Sequence, residues 1–278
     1  DTVSSVSLGG NSLGTLVTHA FTGLRGSLTV DSSGVTNIEP YAFVDSDLHG
    51  GLVLSGNNIG VLKTGALAGM QAKYVDLENA GVSGIQPEAF AGTVLTSYKD
   101  TSHPGCVHLV GNPLGIIPSR AFSGLTCTSS YYSKYGGLHL HSLQGIQAFA
   151  FDGCSLPILQ VYESSVGTLV SDTFFGLKVG YVVDLRWSSS SGVSDLEPYA
   201  FRNLTANELL LYGLKLGVLP AHAFDGLVVD SLVFSATMTG IAPGAFLGSH
   251  GLFTTRSMTF GTSTLGVIPT GAFTGFAA

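Results

Sequence analysis

The chain has few side chains of the kinds that catalysis requires, because only 10% of its 278 residues are charged. Paired carboxylates can serve as a general acid and a general base, and such pairs stand at Asp45/Asp47, Asp76/Glu78 and Asp195/Glu197. No further chemical group converges on any of these pairs. We therefore interpret them as solvated surface positions.

Metal ligation is the second chemistry to consider. His108, His139 and His141 could approach one another on neighbouring strands, but a metal site needs three or four ligands and outer partners that orient them. Surface histidines are the favoured interpretation, and we expect no metal and no cofactor. The sequence contains no Gly-x-x-x-x-Gly-Lys and no His-Glu-x-x-His motif, so an enzyme is not expected.

The composition excludes further classes of protein. Eleven Lys and Arg residues stand against 18 Asp and Glu, which gives a formal net charge of -7, and so few cations argue against nucleic-acid binding. Hydrophobic residues make up 45% of the chain, which excludes intrinsic disorder. No apolar run approaches the roughly 18 residues that cross a bilayer, so no membrane span is expected within this chain.

A repeat of 22 to 32 residues must position these side chains. In most units two apolar residues separated by one position, such as Leu52 and Leu54, precede an Ala-Phe dipeptide, and this alternation predicts a very short half-buried strand. Units this short must stack around a shared core. The aromatic position occurs eleven times, at Phe21, Phe43, Leu67 (in place of Phe), Phe90, Phe122, Phe151, Phe174, Phe201, Phe224, Phe246 and Phe273.

The pattern Φ-x-Φ-x-x-N-x-Φ-x-x-Φ-P-x-x-A-F-x-G-L resembles the leucine-rich repeat family, in the Phe-containing type of extracellular proteins. Asn11, Asn57 and Asn112 occupy the place of the family's asparagine. The resemblance covers residues 1–278 and implies a single α/β repeat solenoid of about eleven repeats. It implies a curved coil with a parallel β-sheet on the concave side, short turn or helical segments on the convex side, and a buried Phe column.

Longer intervals in the repeat predict inserted loops near 93–105, 126–136 and 248–256. Cys106 ends the first insertion and Cys127 begins the second, so both lie on the same edge of consecutive coils. A disulfide between them is the preferred pairing, and it would favour an oxidising, extracellular compartment. Cys154 takes a position where other units have Leu, and we expect it to be buried.

The concave face is the candidate binding surface, because side chains that flank the inward strand positions point outward there. Aromatic residues and arginine are enriched in binding hot spots. The alternative is that these side chains merely cover a sheet face. Asn203-Leu204-Thr205 is the one N-glycosylation acceptor of the sequence. The candidate patch consists of His108, His139, Gln160, Tyr162, Arg186, Trp187 and Tyr212.

Two functions follow from these observations. The resemblance implies a non-catalytic recognition or adhesion module, extracellular or at the cell surface, that binds a protein or glycan ligand on its concave face. The alternative is a structural subunit of an extracellular filament or matrix that self-associates end to end, since its low charge opposes such packing little.

Overall fold

The computed structural model of the chain describes residues 4–96, 105–128, 136–187, 192–249, 259–260 and 264–274. Most of each predicted insertion lies outside these ranges. Within them every regular element is a β-strand, and the strands are numbered here β1 to β24 in chain order. Most coils have two strand positions, which recur along the chain.

The first strand position of each coil contributes to one long sheet, in which all pairings are parallel. Equivalent residues pair in register, for example Leu28 with Leu52. Columns of equivalent side chains therefore run along the sheet. Its fourteen strands in the described residues are β1 (Ser5–Ser7), β3 (Arg25–Thr29), β5 (Asp47–Val53), β7 (Gln71–Ala72), β8 (Val75–Asp76), β10 (Val94–Leu95), β11 (Val107–His108), β13 (Thr126–Cys127), β14 (Leu138–His141), β16 (Ser155–Ser164), β18 (Lys178–Trp187), β20 (Thr205–Lys215), β22 (Val228–Thr237) and β24 (Thr259–Phe260).

The second strand position forms two-stranded parallel sheets, five of them in the described part of the chain. Apolar residues of these strands, such as Leu16, Ile38 and Leu62, are buried in the same hydrophobic core as those of the long sheet. The strands are β2 (Gly14–Leu16), β4 (Val35–Ile38), β6 (Gly60–Leu62), β9 (Val82–Ile85), β12 (Ile116–Ile117), β15 (Gly145–Ile146), β17 (Gly167–Leu169), β19 (Val193–Leu196), β21 (Val218–Leu219) and β23 (Gly240–Ile241).

The Phe column forms the spine of this core. Neighbouring rings stack with centroids 5.0 to 5.7 Å apart, and each stacked pair contributes about 0.5–1.5 kcal/mol beyond the area it buries. Every position of the column from Phe43 to Phe246 is fully buried, including Leu67, so the predicted burial is confirmed there. Phe273 is 37% exposed.

The expected helical segments are wrong, and so is the α/β class, because the described residues contain no helix. The residue before each Ala-Phe has a positive φ, about 60° at Tyr41 and Arg120, and a right-handed helix cannot continue through that conformation. Backbone groups instead bond to the next coil, as Phe122 N–H does to the Ala150 carbonyl (3.0 Å). The fold is a parallel β-solenoid. Within the described ranges no helix has the length and apolar character to span a membrane.

Asn57 closes its coil with a buried side-chain amide. Its Nδ2 donates to the carbonyls of Val30 and Leu54 (2.8 and 2.7 Å), and its Oδ1 accepts the N–H groups of Ser33 and Val35 (2.9 and 3.0 Å). This uses the full hydrogen-bonding capacity of the amide.

Asn112 makes the equivalent contacts in a later coil. Its Nδ2 donates to the carbonyls of Leu77 and Leu109 (2.7 and 2.9 Å), and its Oδ1 accepts the Val82 N–H (2.8 Å). Asn11 is exposed and bonds within its own turn. Of the three asparagines at the family's position, Asn57 and Asn112 therefore cap backbone groups of two coils and Asn11 does not.

Candidate functional site

The register of the long sheet arranges the candidate residues in two columns on its outward face, named here the central column and the aromatic column. On each strand, the residue of the aromatic column comes two positions after the residue of the central column. The central column contains Ser7, Thr29, Val53, Asp76, His108, His139, Gln160, Asp184, Leu210 and Val233. The aromatic column contains His141, Tyr162, Arg186 and Tyr212.

Arg186 lies between two tyrosines of the aromatic column. Its guanidinium carbon is 5.6 Å from the ring centroid of Tyr162 and 5.6 Å from that of Tyr212. His141 extends the row, with its ring centroid 5.4 Å from that of Tyr162. The column is thus a continuous row of flat side chains held by cation–π and ring contacts.

Asp184 holds this row from below. Its carboxylate is 3% exposed and binds Arg186 through two bonds, Nε to Oδ1 and Nη2 to Oδ2, both 2.9 Å. Tyr162 also donates its hydroxyl to Oδ2 (3.3 Å). A bidentate pair of this kind fixes the plane of the guanidinium. The bond to Asp184 accordingly raises the pKa of Arg186, and burial with the Asp184 charge raises the pKa of Tyr162 to about 12.

The histidines of the two columns are neighbours, but they do not form a three-ligand group within the described residues. His108 and His139 are cross-strand partners. Burial, followed by repulsion from the charges of His108 and His141, lowers the pKa of His139 to about 4. Burial also lowers the pKa of His141. Both imidazoles are therefore neutral near pH 7.

Two carboxylates on this face are buried. Asp76 is 5% exposed and Asp184 is 3% exposed, so the expectation that Asp76/Glu78 is a solvated pair is wrong for Asp76. Each carboxylate accepts a hydrogen bond beside it, for Asp76 from the Glu78 N–H (2.9 Å). The sequence pattern shows an alternating position, but it does not show how deeply large neighbours cover that position.

The remaining site residues occupy separate places. Gln160 is half-buried in the central column between His139 and Asp184. Trp187 ends β18 in backbone register with Ser164, outside both columns, and its side chain lies outside the described residues. Asn203 is exposed on a turn and has a φ of 55°.

The cysteines lie at the edge where the long sheet is interrupted. The sulfur atoms of Cys106 and Cys127 are in bonding contact, with Cα atoms 6.3 Å apart. Cys154 is buried and free, and its thiol donates to the Phe122 carbonyl (2.7 Å). Burial raises the pKa of this thiol far above its usual range, which makes it unreactive.

Sequence reasoning missed a second cluster, on the turns. The Arg202 guanidinium is 4.9 Å from the Phe175 ring centroid and 5.4 Å from that of Tyr199, and its Nε is 2.8 Å from Asp172 Oδ1. Tyr199 in turn stacks on His222 (5.1 Å). The sequence does carry a signal for this cluster, because large side chains such as Tyr199 and His222 stand directly before an Ala-Phe dipeptide. The contacts join consecutive coils, which is a structural role.

Comparison with models of protein families finds a match for this chain. A family model described as a BspA type leucine rich repeat region matches residues 115–253 in six copies. The matched segment is half of the chain and includes the whole aromatic column. No curated protein matches the chain.

Proposed function

Because the chain belongs to the BspA-type leucine-rich repeat family, we propose that it is a non-catalytic recognition and adhesion module, extracellular or at the cell surface. Stacked repeats present an extended surface to a partner. The partner is a protein or a glycan, and it binds on the outward face of the long sheet. The proposed patch is centred on the aromatic column and borders His108, His139, Gln160 and Trp187.

The observation that carries this proposal is the position of Arg186 between Tyr162 and Tyr212. The Arg186 side chain is 58% exposed, yet two ring contacts and the bond to Asp184 fix its geometry. Tyrosine and arginine dominate binding hot spots because they combine large area with a polar group. Side chains that are already ordered lose less entropy when a partner binds.

The test is a binding screen followed by substitutions in the aromatic column. The purified chain, displayed as a multimer, is screened against a glycan array and a panel of cell-surface proteins. Tyr162→Ala, Arg186→Ala and Tyr212→Ala are each expected to weaken the binding found by at least about tenfold, since hot-spot truncation costs about 2 kcal/mol or more.

Tyr41→Asn is the matched control. Tyr41 is a tyrosine on the turns, 48% exposed, with a φ of 60° that asparagine tolerates. Binding that survives all three substitutions in the aromatic column contradicts the proposal. Binding that is lost equally in Tyr41→Asn contradicts it as well, because the loss would then not be specific to the sheet face.

An extracellular location is supported by two independent features. Disulfides persist in oxidising compartments, and Cys106 and Cys127 are in bonding contact. Asn203, the first residue of the acceptor motif, is exposed. Peptide mapping of chain purified from its native source tests both, and we expect one bridge and a glycan on Asn203.

A structural subunit joined end to end in an extracellular filament or matrix is the second candidate. Its support is the low charge, 10% of residues, which offers little repulsion between packed copies. Light scattering over a concentration series separates the two functions. A constant monomer mass favours recognition, and a mass that grows with concentration favours the filament.

A further inference from the structure

We propose that Asp76, Glu78 and His108 bind a divalent transition-metal ion, for which Zn²⁺ is the best fit. One ligand atom of each residue lies within 4.8 Å of those of the other two. Asp76 and His108 are directly paired on β8 and β11, and Glu78 follows Asp76 by two residues. The site shares His108 with the border of the proposed patch, and as a metal site it goes beyond the proposed recognition function. It also differs from the expectation, drawn from the sequence, that this chain binds no metal.

The donor set favours a transition metal over the alkaline-earth ions. One imidazole nitrogen and two carboxylate oxygens match the ligands of open Zn²⁺ sites, which use three protein ligands and leave a fourth position for another group. Ca²⁺ requires six to eight oxygen ligands. Mg²⁺ prefers oxygen ligands throughout, whereas imidazole suits Zn²⁺ and its neighbours in the first transition row.

The carboxylates are positioned before any ion arrives. Asp76 Oδ1 accepts the Glu78 N–H (2.9 Å), and Glu78 Oε1 accepts the side-chain amide of Asn79 (3.4 Å). Outer hydrogen bonds of this kind orient the ligands of metal sites. Asp76 is only 5% exposed, and a divalent cation supplies positive charge that favours a carboxylate at such a depth.

The neighbouring strand carries a further imidazole next to His108. His139 pairs with His108 in the central column, and its Nε2 is buried without a hydrogen-bond partner in the described part of the chain. Buried polar atoms without partners are rare and unfavourable. His139 does not belong to the three-ligand group, so it would act only as an outer partner of an ion held by Asp76, Glu78 and His108.

The experiment uses untagged full-length chain, stripped with a chelator and titrated with ZnCl₂ in a calorimeter at neutral pH. We expect one molar equivalent of Zn²⁺ to bind. His108→Asn and Glu78→Gln should each weaken binding at least about tenfold, because each removes a ligand. Co²⁺ in place of Zn²⁺ gives visible absorption bands that report a coordinated ion independently of heat. Glu78 is exposed, so its substitution should leave folding intact.

His19→Asn is the matched control. His19 is exposed on a turn far from β8 in sequence and has a φ of 61°, which asparagine accommodates. The site is supported if the unsubstituted chain and His19→Asn each bind one equivalent of Zn²⁺ and both site variants bind it more weakly. The circular dichroism of the site variants should be unchanged, which shows that they are folded. The proposal is overturned if the unsubstituted chain does not bind Zn²⁺ at millimolar concentration. It is also overturned if His108→Asn and Glu78→Gln bind Zn²⁺ as tightly as the unsubstituted chain does.

Discussion

The long sheet has two regions that build the same repeat in different ways. In the split region, residues 71–141, each coil forms its sheet position from two short strands: β7 with β8, β10 with β11, and β13 with β14. In the continuous region, residues 155–237, the same position is one strand of 10 or 11 residues, as in β16, β18, β20 and β22. Two of the three predicted insertions fall inside the split region.

Individual coils of the two regions also differ in how they are closed after the sheet strand. In the split region the Asn112 amide bonds to backbone groups of two coils. In the continuous region the same position is Ser164, which makes two bonds, or Leu214, which is buried and apolar. Backbone groups must find partners in either case. The amide is not general to the split region, since Ala80 and Leu143 take the same position after β8 and β14.

The difference extends to the exposed chemistry. The split region carries Asp76, Glu78 and His108, whereas the continuous region carries Tyr162, Arg186 and Tyr212. Longer strands keep Tyr162, Arg186 and Tyr212 inside the paired sheet, where register fixes neighbouring rings. The comparison teaches that one repeat can present a polar ligand set in one region and an aromatic row in the next.

The largest expected effect should be the same in both regions. Phe122→Ala and Phe224→Ala should each lower the free energy of unfolding by about 3–5 kcal/mol, because each removed ring is fully buried and stacks on two neighbours. Urea denaturation measures the loss. Phe273→Ala is the control and should cost less, since its ring is partly exposed. If Phe122→Ala alone lost less than about 1 kcal/mol, the Phe122 ring would not be packed in the core, and the stacked Phe column would be interrupted in the split region.

The second prediction is specific to the split region. A bridge between Cys106 and Cys127, 21 residues apart, should stabilise the fold by about 3 kcal/mol, because it restricts the unfolded chain. The Cys106→Ser/Cys127→Ser double variant should lose this amount in a urea titration, and Cys154→Ser serves as the control. Three free thiols by mass spectrometry, or a bridge to Cys154, would contradict the pairing.

The third prediction compares the two ways of closing a coil. Asn112→Ala removes three hydrogen bonds to backbone groups, of which the Leu77 carbonyl keeps a bond from the Ala80 N–H (3.2 Å), and it should cost about 2–4 kcal/mol. Ser164→Ala removes two weaker bonds and should cost about 1 kcal/mol. Equal losses in the two variants would mean that the serine hydroxyl closes its coil as strongly as the asparagine amide does.

Much of the fold could be predicted because the inward residues repeat in phase. Even in irregular coils the register holds: Leu159 pairs with Val183, and Leu209 with Leu232. The absence of helix could not be predicted in this way. It depends on the positive φ of residues such as Tyr41 and Phe149, which residue type does not announce, since most residues avoid that region.

The candidate surface was predictable in part, for a related reason. Strand alternation brings Tyr162, Arg186 and Tyr212 into one column, whereas the sequence predicts only that they point outward. The burial of Asp184 and Asp76 depends on the neighbouring side chains of adjacent coils, which a single repeat does not reveal. His141 was considered as a metal ligand only, although its alternation with His139 already placed it in the aromatic column.

The smallest expected effect tests the packing of the aromatic column. Burial, and then the Asp184 charge, raise the pKa of Tyr162 from 10.0 to about 12, against the opposing charge of Arg186. The folded chain therefore keeps the phenol proton between these values while the unfolded chain releases it. The stability that Tyr162 contributes is complete below pH 10 and is lost as the pH rises through about 12.

The titration of Tyr162 can be followed by phenolate absorbance, taken as the difference between the unsubstituted chain and Tyr162→Phe. Its midpoint should lie near pH 12. Asp184→Asn should lower the midpoint, because it removes a negative charge that disfavours the phenolate. A midpoint near pH 10 in the unsubstituted chain would mean that the ring is solvated, and the aromatic column would then not be the ordered surface that distinguishes the continuous region.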